Sequence, residues 1–91
     1  MAIVAFDHDG TIDLIPQLMY RFMESLLEAD HVVIIVTGRD GGLEPWIPVP
    51  VVYAGDAYKK DAAIKAGYVV DIWIDDQPGH IEPSRKLEWD T

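Results

Sequence analysis

The sequence predicts an α/β fold, a three-layer sandwich in which a small parallel sheet lies between helices. Four short runs rich in Val and Ile, at residues 3–6, 32–36, 49–53 and 69–74, lack strict apolar-polar alternation, as strands do when both faces are buried. Helical patterns separate the first run from the second and the third from the fourth, so the strands are joined by crossovers that lay helices on the sheet. Every run but the third ends in a polar cluster: Asp7-His8-Asp9-Gly10-Thr11, then Thr37-Gly38-Arg39-Asp40, then Asp75-Asp76.

In chain order, the run Ile3-Val4-Ala5-Phe6 is the first strand. Ile15, Leu18, Met19, Phe22, Met23, Leu26 and Leu27 then recur at i, i+3, i+4, i+7 spacing. That is an amphipathic helix, opened by Asp13 and with Pro16 in its first turn. After the second strand, residues 40–50 hold Gly41, Gly42, Pro45, Pro48 and Pro50, too many breakers for more than a loop with one helical turn. After the third strand, residues 60–66 form a short helix around Ala62, Ala63 and Ile64 that stops at Gly67, a residue suited to a left-handed C-cap. Residues 77–91, with Pro78 and Pro83, are irregular enough to allow only a final helical turn.

A chain of 91 residues buries only ~60–65% of its unfolded surface, which supports one core, so residues 1–91 are expected to form a single domain. Apolar residues make up 49% and charged residues 25%, an ordinary globular balance. No apolar stretch nears the ~18–20 residues of a membrane span, and the start lacks the basic flank of a signal peptide. A cytoplasmic protein is therefore expected. With no cysteine, disulfides, thiolate metal sites and Cys nucleophiles are excluded. The net charge of −9 argues against extended nucleic-acid binding. Gly41-Gly42 lacks the lysine and spacing of a P-loop, and no Gly-x-Gly-x-x-Gly occurs, so nucleotide cofactors fall away.

Ligands of open parallel sheets bind outside the carboxyl ends of the strands. Converging there are Asp7 and Asp9, the hydroxyl of Thr37, a lysine after the third strand, and Asp75-Asp76. This set suits phosphoryl transfer. A carboxylate can attack phosphorus and form an aspartyl phosphate, while a hydroxyl, a lysine and a metal ion stabilise the equatorial oxygens. Mg²⁺ takes all-oxygen ligands and keeps several waters. Four carboxylates in one pocket also demand a cation or shifted pKa values.

The first of these segments, Ile3-Val4-Ala5-Phe6-Asp7-His8-Asp9-Gly10-Thr11, resembles the first motif of the haloacid dehalogenase superfamily, an apolar strand followed by Asp-x-Asp-Gly-Thr. Val33-Ile34-Ile35-Val36-Thr37-Gly38 resembles the second motif, Lys59 or Lys60 the third, and Ile72-Trp73-Ile74-Asp75-Asp76 the fourth, together spanning residues 3–76. The resemblance implies a Rossmann-like sheet and a Mg²⁺-dependent phosphatase. Asp7 would be the nucleophile and Asp9 the general acid and then base, with the Asp9 backbone carbonyl also on the metal. Thr37 would bind phosphoryl oxygens, as would Lys59 or Lys60, with a slight preference for Lys59. Asp75 and Asp76 would complete the metal site, directly or through water. Family caps are inserted after the first strand or after the second motif, and both slots are nearly empty here, so a cap-free enzyme is implied. Such members act on phosphorylated small molecules or bulky phosphorylated ends, or borrow a neighbouring subunit as cover. Thr37-Gly38-Arg39 is similar to the Ser-Gly-Arg or Thr-Gly-Arg of the 3′-phosphatase domain of phage polynucleotide kinase, which would make Gly38 and Arg39 part of the phosphate site.

Plainer readings stand beside these. Asp9-Gly10 could be a turn only, Arg39 could pair with Asp40 or Glu44 on the surface, and Asp75-Asp76 could cap a loop ahead of Pro78. His8, between the two motif aspartates, is expected to point away from both. His31 and His80 lack ligand-like spacing and receive no role. The competing functions are a metal-binding regulatory protein with little or no turnover, and a homo-oligomeric scaffold that uses exposed sheet edges, Trp46 and Trp89.

Overall fold

The structure is a computed structural model that describes residues 1–43 and 47–83. Glu44, Trp46 and Trp89 lie outside the described residues, as do the last eight positions, 84–91, of the C-terminal stretch. Strands β1 (Ile3–Phe6), β2 (Val32–Thr37), β3 (Val51–Tyr53) and β4 (Ile72–Ile74) form one sheet in the order β3-β2-β1-β4. Every pairing is parallel. Helix α1 (Pro16–Glu28) connects β1 to β2, and helix α2 (Lys59–Lys65) connects β3 to β4. No helix among the described residues is long and apolar enough to cross a membrane.

β1 is paired on both sides, with Ala5 opposite Ile34 of β2 and Trp73 of β4, and its residues Val4, Ala5 and Phe6 are buried. Strand alternation divides the core into two layers. Val4, Phe6, Val33 and Ile35 pack with Met23 of α1 and with Ile12 and Val49. Ala5, Ile34 and Val36 pack on the opposite face with Ala63 of α2. The runs lack alternation because each strand must satisfy an apolar layer on both sides. Phe6 also meets Phe22 of α1 edge to face, with ring centroids 5.5 Å apart, a preferred aromatic geometry.

Four element starts differ from the sequence expectation. α1 begins at Pro16 rather than Asp13; proline's fixed φ suits the first helical position, and Asp13 instead accepts the Gly10 N–H at 2.7 Å. β3 begins at Val51 because Pro50 lends its carbonyl to Ile35 but has no N–H to continue the ladder. Val49 still buries its side chain from the preceding loop. β4 begins at Ile72, after Asp71 docks the chain by accepting the Ile3 N–H on its carboxylate at 2.8 Å. α2 starts one residue early, at Lys59. It stops where Gly67, at φ +98°, directs its N–H to Ile64 and that of Tyr68 to Ala63, a Schellman closure that a side chain would strain. The described part of the C-terminal stretch holds one 3₁₀ turn, Pro78–His80.

The chain steps from β1 outward to β2 and β3, then returns to the other side of β1 for β4. The α1 and α2 crossovers cover opposite faces, so the strand order reverses between β1 and β4. A crevice opens at such a reversal, outside the carboxyl ends of those strands.

Candidate functional site

The polar residues that follow β1, β2 and β4 meet in that crevice. A cavity of about 200 Å³ is lined by Asp7, Asp9, Gly38, Lys59 and Asp75, with Gln77 and His80 on its rim. Asp7 is the first residue past β1. Its N–H continues the ladder to the Ile74 carbonyl at 2.9 Å, which fixes its backbone, and it is only 6% exposed. Burial pushes the Asp7 carboxyl above its ordinary pKa, against the opposing pull of Lys59.

Lys59, 4% exposed, bridges two carboxylates, with Nζ donating to Asp7 Oδ1 at 2.8 Å and to Asp75 Oδ2 at 2.6 Å. Burial works against its ammonium, but the bonds to Asp7 and Asp75 outweigh it and raise its pKa. Lys60, one position on, faces the surface and pairs with Glu82 at 2.9 Å. Of the two lysines the sequence left open, Lys59 is the one in the cavity.

Asp75 also accepts the Gln77 N–H at 2.9 Å, which fixes both of its oxygens. Oxygens of Asp7, Asp75 and Asp76 lie within 4.8 Å of one another. Asp76 reaches this cluster because Gly10 leaves room for it: a Cβ at Gly10 would sit 2.5 Å from Asp76 Oδ2, and the Gly10 backbone is left-handed at φ +84°. Glycine is therefore required there twice, for its conformation and for its missing side chain. Three clustered carboxylates against one ammonium leave the pocket net negative, which favours a bound cation.

Asp9 is exposed and bound to Arg39 in a two-pronged ion pair, Nε to Oδ2 at 2.7 Å and Nη2 to Oδ1 at 2.8 Å. The guanidinium holds the Asp9 carboxyl down to about 2, and Asp9 in turn raises the pKa of Arg39. Among the described residues Arg39 thus pairs with Asp9 rather than with its sequence neighbour Asp40. Thr37 is fully buried. Its hydroxyl oxygen accepts the Arg39 N–H at 3.3 Å, and Gly38 rather than Thr37 contributes to the cavity wall.

His8 departs from expectation. Strand alternation ends at Phe6, and the wide turn of residues 8–12, closed by the Asp13 N–H on the His8 carbonyl at 3.1 Å, brings His8 Nδ1 to 3.4 Å from Asp9 Oδ1. Sequence reasoning also passed over Gln77 and His80. Their only signal is Pro78, which starts the 3₁₀ turn that returns the chain over the cavity. No protein-family model, curated protein or solved structure matches this chain.

Proposed function

We propose that the chain is a Mg²⁺-dependent phosphomonoester hydrolase of the haloacid dehalogenase type, without a cap, working through an aspartyl phosphate on Asp7. The observation that carries this reading is Lys59: a buried ammonium within 2.8 Å of the Asp7 carboxylate, at the strand-order reversal where the four sequence motifs meet. An isolated turn or surface lysine does not generate that arrangement.

In the first step an Asp7 oxygen attacks phosphorus and the P–O bond to the leaving group breaks, the departing oxygen taking a proton from Asp9. In the second, water attacks the phosphoryl group, Asp9 takes the proton, and phosphate leaves with Asp7 restored as carboxylate. Lys59 holds the Asp7 carboxylate in place and places positive charge beside the phosphoryl oxygens. The donor set of Asp7, Asp75 and Asp76 fits a hard divalent cation, since all three are carboxylates with oxygens within 4.8 Å. Bound there, Mg²⁺ would neutralise phosphate charge and orient the ester. Asp9 cannot donate a proton while Arg39 holds its pKa at about 2. Transfer of Arg39 from Asp9 to a phosphoryl oxygen frees Asp9 for proton transfer.

Hydrolysis of an aryl phosphate with and without Mg²⁺, compared with Asp7→Asn, tests the proposal. The expected result is metal-dependent turnover that the substitution lowers by at least about 10³-fold. Equal inactivity of both proteins across a broad panel of phosphomonoesters would sink it.

A second reading, a regulatory or scaffold protein that self-associates, is favoured by one observation. Leu14 and Ile15, just before α1, and Leu18 and Phe22 on it are large apolar side chains left exposed, and exposed apolar patches mark interaction sites. Under that reading the chain sediments as an oligomer and Mg²⁺ raises its melting temperature with no turnover.

A further inference from the structure

A second cavity, of about 270 Å³, shares Gly38, Lys59 and His80 with the first and extends away from Asp7 along residues 55–58, with Gly79 opposite. The two form one cleft, and whatever is esterified to a phosphate on Asp7 must enter this second lobe or project into solvent. The lobe is short of the ~300–1,000 Å³ typical of drug-sized ligands, so it holds one small group. Its walls offer backbone groups, the Tyr58 ring and the Asp56 carboxylate. Among the described residues Asp56 makes no hydrogen bond or ion pair, whereas the lysine on the lobe's wall, Lys59, is already engaged by Asp7 and Asp75. A second phosphate or a polymer backbone in this lobe would meet Asp56 with no cation to offset it. Hydroxyl groups would find acceptors.

Resting on the phosphatase reading above, we infer that this lobe binds the leaving group and selects phosphomonoesters of a small, neutral, hydroxylated moiety. Sugars and the ribose of a nucleoside share that chemistry. Esters with a second anion and phosphorylated oligonucleotide ends are excluded.

The test compares kcat/KM for fructose 6-phosphate, fructose 1,6-bisphosphate, adenosine 5′-monophosphate and an oligonucleotide 3′-phosphate, with 4-nitrophenyl phosphate as reference. Fructose 6-phosphate or adenosine 5′-monophosphate is expected to exceed both the bisphosphate and the oligonucleotide by about tenfold or more, and the ratio of the first two tells which source the lobe prefers. Asp56→Lys, at an exposed position, is expected to narrow the gap between fructose 6-phosphate and the bisphosphate at least about fivefold by reversing the local charge. Gly79→Val, where an added Cβ meets nothing within 4 Å, is expected to lower the sugar ester's kcat/KM about tenfold more than that of 4-nitrophenyl phosphate. Faster turnover of the bisphosphate or the oligonucleotide end, or an Asp56→Lys protein with unchanged selectivity, would overturn the lobe assignment while leaving the phosphatase reading intact. Inactivity on 4-nitrophenyl phosphate and on all four esters would overturn both.

Discussion

Lys59 and Lys60 are adjacent, carry the same charge, and begin the same helix, yet one is buried between two carboxylates and the other sits at the surface with Glu82. Replacing Lys59 by Met leaves Asp7 and Asp75 facing each other without a counter-charge, a loss of about 3 kcal/mol, and lowers turnover about 10²-fold or more. Lys60→Met should change either quantity little. Thermal melts and aryl-phosphate kinetics on the two variants distinguish them, and equal effects would contradict the assignment. The residue types of the site were legible in sequence because chemistry restricts them, but the choice between the lysines was not. It depends on the helical phase of α2 against the sheet, which adjacent residues do not reveal. Arg39 was ambiguous for a similar reason: its partner, Asp9, is 30 positions away. The pair has a pH signature. Asp9 sits at about 2 in the folded chain against ~3.9 unfolded. Its contribution to stability is therefore complete above that unfolded value and is lost as pH falls from there through about 2. The stability advantage of wild type over Arg39→Gln should shrink over that window, as followed by denaturant melts. An advantage that does not vary with pH would contradict the ion pair.

At the scale of elements, the segment between β1 and α1 decides whether the acidic cluster can form. Gly10→Ala forces a Cβ into a left-handed backbone and to within 2.5 Å of the Asp76 carboxylate, so it should destabilise the fold by about 1–2 kcal/mol and weaken divalent-cation binding, read by calorimetric titration with Mg²⁺. Unchanged binding would mean that Asp76 does not contribute. The strands and helices themselves were readable because doubly covered strands are apolar throughout and α1 repeats at helical spacing. Their ends were less so. Asp13 has the composition of a helix cap, but Pro16 takes the first helical position and the Gly10 N–H takes the Asp13 carboxylate, so Asp13 belongs to the loop. The 3₁₀ turn of Pro78–His80 carries no periodicity, and His80 has no ligand-like spacing to another histidine, so its place on the cavity is not legible in the sequence.

For the molecule as a whole, folding concentrates Asp7, Asp75 and Asp76 around one lysine, so part of the electrostatic strain of a chain with net charge −9 is local to the site. A cation bound there stabilises the native state by mass action, about 2.7 kcal/mol at a hundredfold excess over its Kd, a rise of several degrees in melting temperature for a domain of this size. Mg²⁺ should produce that rise in wild type and lose most of it in Asp75→Asn, whereas an equal shift in both would place the cation elsewhere. The central claim is that Asp7 is a nucleophile, and the most direct measurement is chemical trapping. Enzyme quenched during turnover of an aryl phosphate with Mg²⁺ is reduced with borohydride, which converts an aspartyl phosphate to homoserine, and the peptide containing residue 7 is read by mass spectrometry. Homoserine at position 7, dependent on substrate and on Mg²⁺, is the predicted result. Sustained turnover with position 7 unmodified, or by the Asp7→Asn protein, would contradict it.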